Sequence, residues 1–389
     1  MKIGFVTPWY GEFAGGAEKE IRGLAEHLHE SGQDVVILTT CCRSPFESWW
    51  KNGIKEGDYR INGVLVKRFP VDSGNEEKYH ELNSKLIHKI PLSSEEEIKF
   101  LECNINSSAL VRYLCKNSKD FVYVLSPYLF GLAYYSYRAV PDRCILIPCL
   151  HDEPQAYFKP IIEMLENCHL IFYSEEEMQL AKKICHIPEG RYKILGGGVD
   201  VPSDVSSEKF RSKYGIESDY ILYVGRKDAG KNVKSLIKWF IDYKNTYQTN
   251  IDLVFLGGGD SSLLPVRSDI LDLGFIEEQD KFDAYAGAVA TCLLSKNESF
   301  SLVIMESWLA RTPVIVSDFC SVTKGHCIRS NGGLFVKDSE EFVEALHFIL
   351  SNPKKMRLMG ANGKKYVEDR YTWKVIVPKF LETINCFLG

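Results

Sequence analysis

Short continuous apolar runs alternate with helix-period stripes along this chain, and they do so in two separate sets. "KIGFVTP" reads as a buried strand and "YGEFAGG" as a loop. In the helix that follows, Ile21, Leu24, Ala25 and Leu28 fall at i, i+3, i+4 and i+7, one apolar stripe. "DVVILTT" is the next strand. Strand, glycine turn, helix and strand make a βαβ unit, which requires a parallel sheet covered by helices. The alternation continues through "FVYVLSP", "CILIPCLHD" and "HLIFYS". The last runs into "SEEEMQLAKKI", where Ser174 and Glu177 spell a capping box. At "KILGGGVDVPSDVSS" the composition turns to glycine, proline and serine, the mark of a linker. A second set follows: "DYILYVG", a helix with Val233, Leu236, Ile237 and Phe240 on one stripe, then "IDLVFLGGG", "ILDLGFI", "AVATCLL" and "GGLFV". "WKVIVPKFLETINCFL" is a final helix with a kink expected at Pro378. The expected architecture is two α/β domains with a cleft between them.

Length supports that division, since 389 residues exceed one ordinary core. A net charge of -5 gives no support for nucleic-acid binding, which predicts a basic surplus. The 12 cysteines are scattered without a CxxC, and several sit in strand-like runs, so they read as reduced thiols of a cytoplasmic protein. "MKIGFVTPWY" is too short in apolar residues for a signal peptide, and no apolar run approaches the ~20 residues of a membrane span. The aromatic "YLFGLAYYSYRAV" is broken by Gly131 and Arg138 and reads as a packed helix. "LNSKLIHKIPL", with Lys85, His88 and Lys89, leaves a solvated helix face, the favoured reading, beside a peripheral membrane contact. Residues 72 to 100 are otherwise polar and receive no role.

Several loops carry residues suited to one kind of ligand. "GEFAGGAE" follows the first strand and opens a helix, so its amides can approach a phosphate, although a tight turn explains Gly15 and Gly16 equally well. The spacing is not GxGxxG, and no acidic residue ends the next strand, which argues against a Rossmann dehydrogenase. "LGGGD" reads as a strand-end turn. In "YVGRKDAGKN", Arg226 and Lys231 stand at the carboxyl end of a strand, where open α/β sheets bind ligands and two cations suit a pyrophosphate. In "ESFSLVIMESWLARTPVIV", a helix starting near Ser299 to Ser301 points unpaired amides outward with roughly half a positive charge. Glu298 lies just before it, and Glu306 leans back toward the same mouth from within. A carboxylate matches a vicinal diol, so the combination describes a sugar, a diphosphate and a ribose. His151 and Asp152 in "LIPCLHDEP" sit just past a strand of the first domain. No spacing suggests zinc and no Asp-x-Asp occurs, which leaves Arg226, Lys231 and the helix dipole to neutralise a diphosphate without a metal.

These motifs, in this order over nearly the whole chain, resemble those of retaining glycosyltransferases of family GT4 (group 1). The match rests on the E-x7-E pair Glu298 and Glu306, the "GRKDAGKN" cations, the "AGGAE" loop, "HDE" and the tail helix. The resemblance implies a GT-B fold: two Rossmann-like parallel-sheet domains facing a central cleft. Residues 1–200 would form an acceptor-side domain completed by tail helix 372–389, and residues 201–371 the nucleotide-sugar donor domain. By the same resemblance Arg226 and Lys231 hold the diphosphate, Glu298 binds sugar hydroxyls, and amides of the Ser299–Leu302 stretch, at Phe300, Ser301 and Leu302, contact sugar and phosphate. Glu306 binds the ribose, Gly15 and Gly16 close on the diphosphate, and His151, beside Asp152, touches the sugar near the reacting carbon. The base lies against Gly274, Phe275 and Ile276. No cofactor and no divalent metal is implied. The family often has glycine where this chain has Ser301 and Arg311. The activity implied is hexose transfer from a UDP- or GDP-sugar to a glycan or lipid-linked glycan, in surface polysaccharide biosynthesis. Another GT-B activity, such as an epimerase or hydrolase, and a catalytically silent nucleotide-sugar-binding subunit are the alternatives.

Overall fold

The computed structural model describes residues 2–11 and 15–388. The chain divides into two compact units, Met1–Gly198 with Ile376–Gly389, and Val199–Val375.

The first unit is built on strands β1 (Lys2–Thr7), β2 (Asp34–Thr40), β3 (Gly57–Ile61), β4 (Val64–Phe69), β5 (Phe121–Leu125), β6 (Cys144–Leu146), β7 (His169–Phe172) and β8 (Tyr192–Ile194). They lie in the order β3-β4-β2-β1-β5-β6-β7-β8. Residues from Ile3 in β1, from Val35 in β2 and throughout β5 are buried, as strands covered on both faces should be. Every pairing is parallel except β3 with β4. That hairpin turns on Asn62 and Gly63, with φ of 48° and 84°, the positive pair that a two-residue turn between twisted strands demands. The polar stretch left without a role forms helices Glu76–Ile87 and Ser94–Cys103, the second opened by a reciprocal capping box of Ser93 and Glu96. The final helix, Trp373–Leu388, runs unbroken across Pro378. Its Phe380 stacks on Phe5 of β1 at 6.2 Å and its Phe387 on His169 at 4.4 Å.

The second unit carries β9 (Asp219–Val224), β10 (Ile251–Leu256), β11 (Ile270–Asp272), β12 (Ala290–Leu293), β13 (Val314–Ser317) and β14 (Gly333–Val336). Their order is β11-β10-β9-β12-β13-β14, all parallel. The chain therefore winds outward from β9 in one direction and from β12 in the other. Of "ILDLGFI" only Ile270–Asp272 is strand.

Candidate functional site

Between β9 and β12 the winding direction reverses, and the loops leaving their carboxyl ends diverge to opposite faces of the sheet. Such a switch point opens a crevice by topology alone. The loop after β9 holds Arg226, Lys227 and Lys231, and the loop after β12 holds Glu298 through Ser301. Lys231 Nζ lies 2.5 Å from Glu298 Oε1, with both side chains mostly buried. The Lys231 amide donates to Asp228 Oδ1 at 2.9 Å, and the Lys296 amide donates to the Gly230 carbonyl at 3.1 Å. The two loops are thus locked together. Arg226 stays in solvent, its guanidinium 3.3 Å from Asp228.

Lys227, the cation between them, turns inward. Its side chain is 1% exposed, and Nζ donates to the Gly257 carbonyl at 2.5 Å and to Asp272 Oδ1 at 3.1 Å. Burial pushes the Asp272 carboxyl up, but hydrogen bonds from Ser261 and Lys227 outweigh it and hold the group below its usual range. The glycine run 257–259 is more than a strand-end turn. A Cβ on Gly257 would stand 2.5 Å from the Gly225 carbonyl oxygen, and one on Gly259 2.5 Å from the Lys227 nitrogen. Only residues without a Cβ let this loop lie against residues 225–227. Asp272 also accepts from the Gly274 amide at 3.1 Å, and Gly274, at φ 63°, accepts from the Gly257 amide at 2.7 Å. Phe275 is exposed with its ring against Gly258, and Ile276 packs on the core below. Lys227 therefore joins Gly274–Ile276 to the loop that bears Arg226 and Lys231.

The helix after Glu298 spans Leu302–Leu309, starting just past the expected serines. Ser299 and Leu302 are half-buried, while Phe300 is buried edge-on to His326 at 5.6 Å and Tyr371 at 5.1 Å. Ser301 precedes the helix with φ 73° and makes no side-chain cap, and its buried hydroxyl has no protein partner. Arg311, beyond the helix, has φ 63°. Both non-glycine residues therefore adopt the left-handed conformation that glycine favours, at a cost of about 1–2 kcal/mol each. Glu306 is buried. Its Oε2 lies 2.9 Å from Lys281 Nζ and accepts from the Tyr285 hydroxyl at 3.1 Å, so helix Glu278–Gly287 holds this carboxylate. No sequence signal marked Lys281, Tyr285 or His326.

The remaining expected residues belong to the first unit. Gly15 caps helix Gly16–Glu30 with extended backbone, and Glu12, Phe13 and Ala14 of the same loop lie outside the described residues. His151 is half-buried in the loop after β6, and Asp152 is exposed and accepts from the Tyr157 hydroxyl at 2.7 Å. Lys85 pairs with Glu96 at 2.5 Å, while Ile87 and Ile90 beside it are exposed. Among the described residues no helix is long and apolar enough to cross a membrane. The cysteines are all free thiols.

The model of the family described as glycosyl transferases group 1 matches residues 206–366. An uncharacterised glycosyltransferase of Methanocaldococcus jannaschii is 26% identical over 253 residues, covering 61% of this chain and 64% of that protein. A phosphatidyl-myo-inositol mannosyltransferase of Mycolicibacterium smegmatis is 20% identical over 396 residues, covering 100% of this chain and 95% of its own. The chain thus spans less than two thirds of the first relative and nearly all of the second. Anabaena HepE, solved in complex with UDP and glucose, superposes with a TM-score of 0.71 at 15% identity, over 99% of each chain. The architecture of two Rossmann-like units, the first completed by the chain's last helix, is the GT-B fold. Residues 206–366 are thus similar to the group 1 glycosyltransferases.

Proposed function

We propose that the protein transfers a hexosyl group, with retention, from a UDP- or GDP-sugar to a glycan or lipid-linked glycan, in surface polysaccharide assembly. The observation that carries this reading is the Lys231–Glu298 pair at the β9/β12 switch point, with Arg226 in solvent beside it. A diphosphate entering there exchanges one anionic partner of Lys231 for another, and Arg226 offers two further donors. Glu298, relieved of Lys231, turns its carboxylate to sugar hydroxyls, and the amides at Ser301 and Leu302 face the phosphate from the helix end. Gly274–Ile276 takes the base, Glu306 the ribose. The family resemblance further assigns Gly15, Gly16 and Asp152 to donor binding and His151 to the sugar near its reacting carbon.

In the reaction the bond from C1 to the phosphate oxygen breaks and the acceptor oxygen bonds C1 from the same face. The acceptor's proton passes to the departing phosphate oxygen, and a nucleoside diphosphate is released. Arg226 and Lys231 stabilise the charge that grows on that phosphate, so the reading requires no metal. The protein otherwise supplies position and exclusion of water. The relative is named for mannosyl transfer and the structural neighbour holds UDP, so the donor panel must cover both bases. A thermal-shift screen against UDP, GDP and their common sugars tests the proposal, because a ligand that binds only the native state raises its melting point. Stabilisation by one nucleotide, followed by sugar transfer from its conjugate, is expected. No shift with any nucleotide refutes the reading, and binding without transfer to any acceptor leaves a nucleotide-sugar-binding subunit.

A further inference from the structure

The Ser174–Glu177 motif does not close as a capping box. Ser174 Oγ accepts from the Glu177 amide at 3.0 Å, which is the first half. The second half is diverted: Glu177 Oε1 accepts from the Leu150 amide and Oε2 from the Tyr173 amide, both at 2.6 Å. Glu177 thereby ties the segment beyond β6 to the segment beyond β7, one residue before His151. Only 2% of Glu177 is exposed. Burial pushes its carboxyl up against the pull of the backbone amides around it. A buried carboxyl group needs hydrogen-bond partners, and here backbone amides of two separate segments supply them, whereas an ordinary helix cap stays at the surface.

The segment it holds is shaped to one purpose. Cys149 sits at φ 55°, in the left-handed region, so the chain bends sharply just before Leu150 and His151. Tyr128 grips the other side: its amide donates to the Pro148 carbonyl at 3.0 Å and its hydroxyl to Glu153 Oε1 at 2.7 Å. The Glu153 amide donates to the His151 carbonyl at 3.0 Å. His151 is thus presented on a short arch pinned on both sides.

We infer that Glu177 is a positioning residue for His151, its carboxylate fixing the arch that aims the imidazole. The assignment rests on the role given to His151 above. Glu177→Gln keeps the shape but sets an NH2 against one of the two amide donors, so that side of the arch is released. In Glu177→Gln the His151 imidazole proton resonance, identified by its loss in His151→Ala, should move. The rate of UDP or GDP release from UDP-glucose or GDP-mannose, with water as acceptor, should fall roughly tenfold or more. Stabilisation by free UDP or GDP should stay as in the wild type, since the nucleotide residues lie in the other unit.

The double variant Glu177→Gln/His151→Ala should be no slower than His151→Ala, because residues that act as one unit share one loss. If Glu177→Gln does not fold, Tyr128→Phe, which deletes only the hydroxyl on Glu153, should show a smaller loss shared with His151→Ala in the same way. An unmoved His151 resonance, or losses that multiply in the double variant, overturns the assignment of Glu177 alone. Full activity in His151→Ala overturns it together with the role of His151.

Discussion

His326 offers the sharpest quantitative test of how the second unit is built. It lies in helix Ser321–Ser330 with no exposed surface, and its Nδ1 is 2.9 Å from the Tyr366 hydroxyl. That hydroxyl is also 3.0 Å from the Tyr371 hydroxyl and accepts from Arg329 Nε at 3.3 Å. Burial, reinforced by the Arg329 charge, lowers the imidazole from its ordinary 6.5 to about 3. Between those values the unfolded chain binds a proton that the folded protein refuses, so the protein loses stability as the pH falls below 6.5. One proton costs about 1.4 kcal/mol per pH unit, and acidification from pH 7 to pH 5 therefore removes roughly 2 kcal/mol through this group alone. His326→Gln abolishes the titration. Its stability at pH 7 falls as well, because the ring packs edge-on against Phe300, Tyr366 and Tyr371. The informative quantity is the gap between the two proteins in urea unfolding free energy, followed by tyrosine and tryptophan fluorescence at pH 7, 6 and 5. That gap should narrow by roughly 2 kcal/mol toward pH 5. Parallel curves would mean that His326 takes up its proton in the folded protein, and the sealed aromatic network under Phe300 would be refuted.

Arg226→Ala and Lys231→Ala should each cost on the order of 2 to 4 kcal/mol of transition-state stabilisation, by analogy with losing an oxyanion donor, read as kcat/KM on purified protein. Near-normal rates in both would remove the pair from the mechanism. Lys227→Met should act on stability, costing roughly 1–3 kcal/mol in denaturant unfolding, because it leaves the Gly257 carbonyl without its donor and frees the loop bearing it. An unchanged melting temperature would contradict the clasp. Ser301→Gly should raise stability by about 1 kcal/mol by relieving the left-handed serine, and a fall in melting temperature would show that the side chain contributes more than strain.

What the sequence shows and what it hides follow from one distinction, between patterns that repeat along the chain and contacts made across it. Strands such as β1, β2, β9 and β10 announce themselves because burial on both faces demands unbroken apolar runs. The β3–β4 hairpin left a local signal too, Asn62-Gly63 between alternating residues, but charged side chains on a half-exposed edge mask its apolar face. Strand order has no local signature, and neither does the inward turn of Lys227 beside the outward turn of Arg226. In "GRKDAGKN" the three cations are equivalent until Gly257 and Asp272 arrive from two other strands to claim one of them. Glu177 shows the same limit from the other side, since its spacing from Ser174 is that of a cap while its carboxylate answers to Leu150, a residue that only the β6/β7 pairing brings near. Glu298 and Lys231 were legible as candidates because each follows a strand. Their meeting at 2.5 Å was not, because it requires β9 and β12 to be neighbours although they are separated in the chain by β10 and β11. A switch point gathers residues from both windings of a sheet, so the crevice most able to bind a ligand is also the place where spacing along the chain says least about contact.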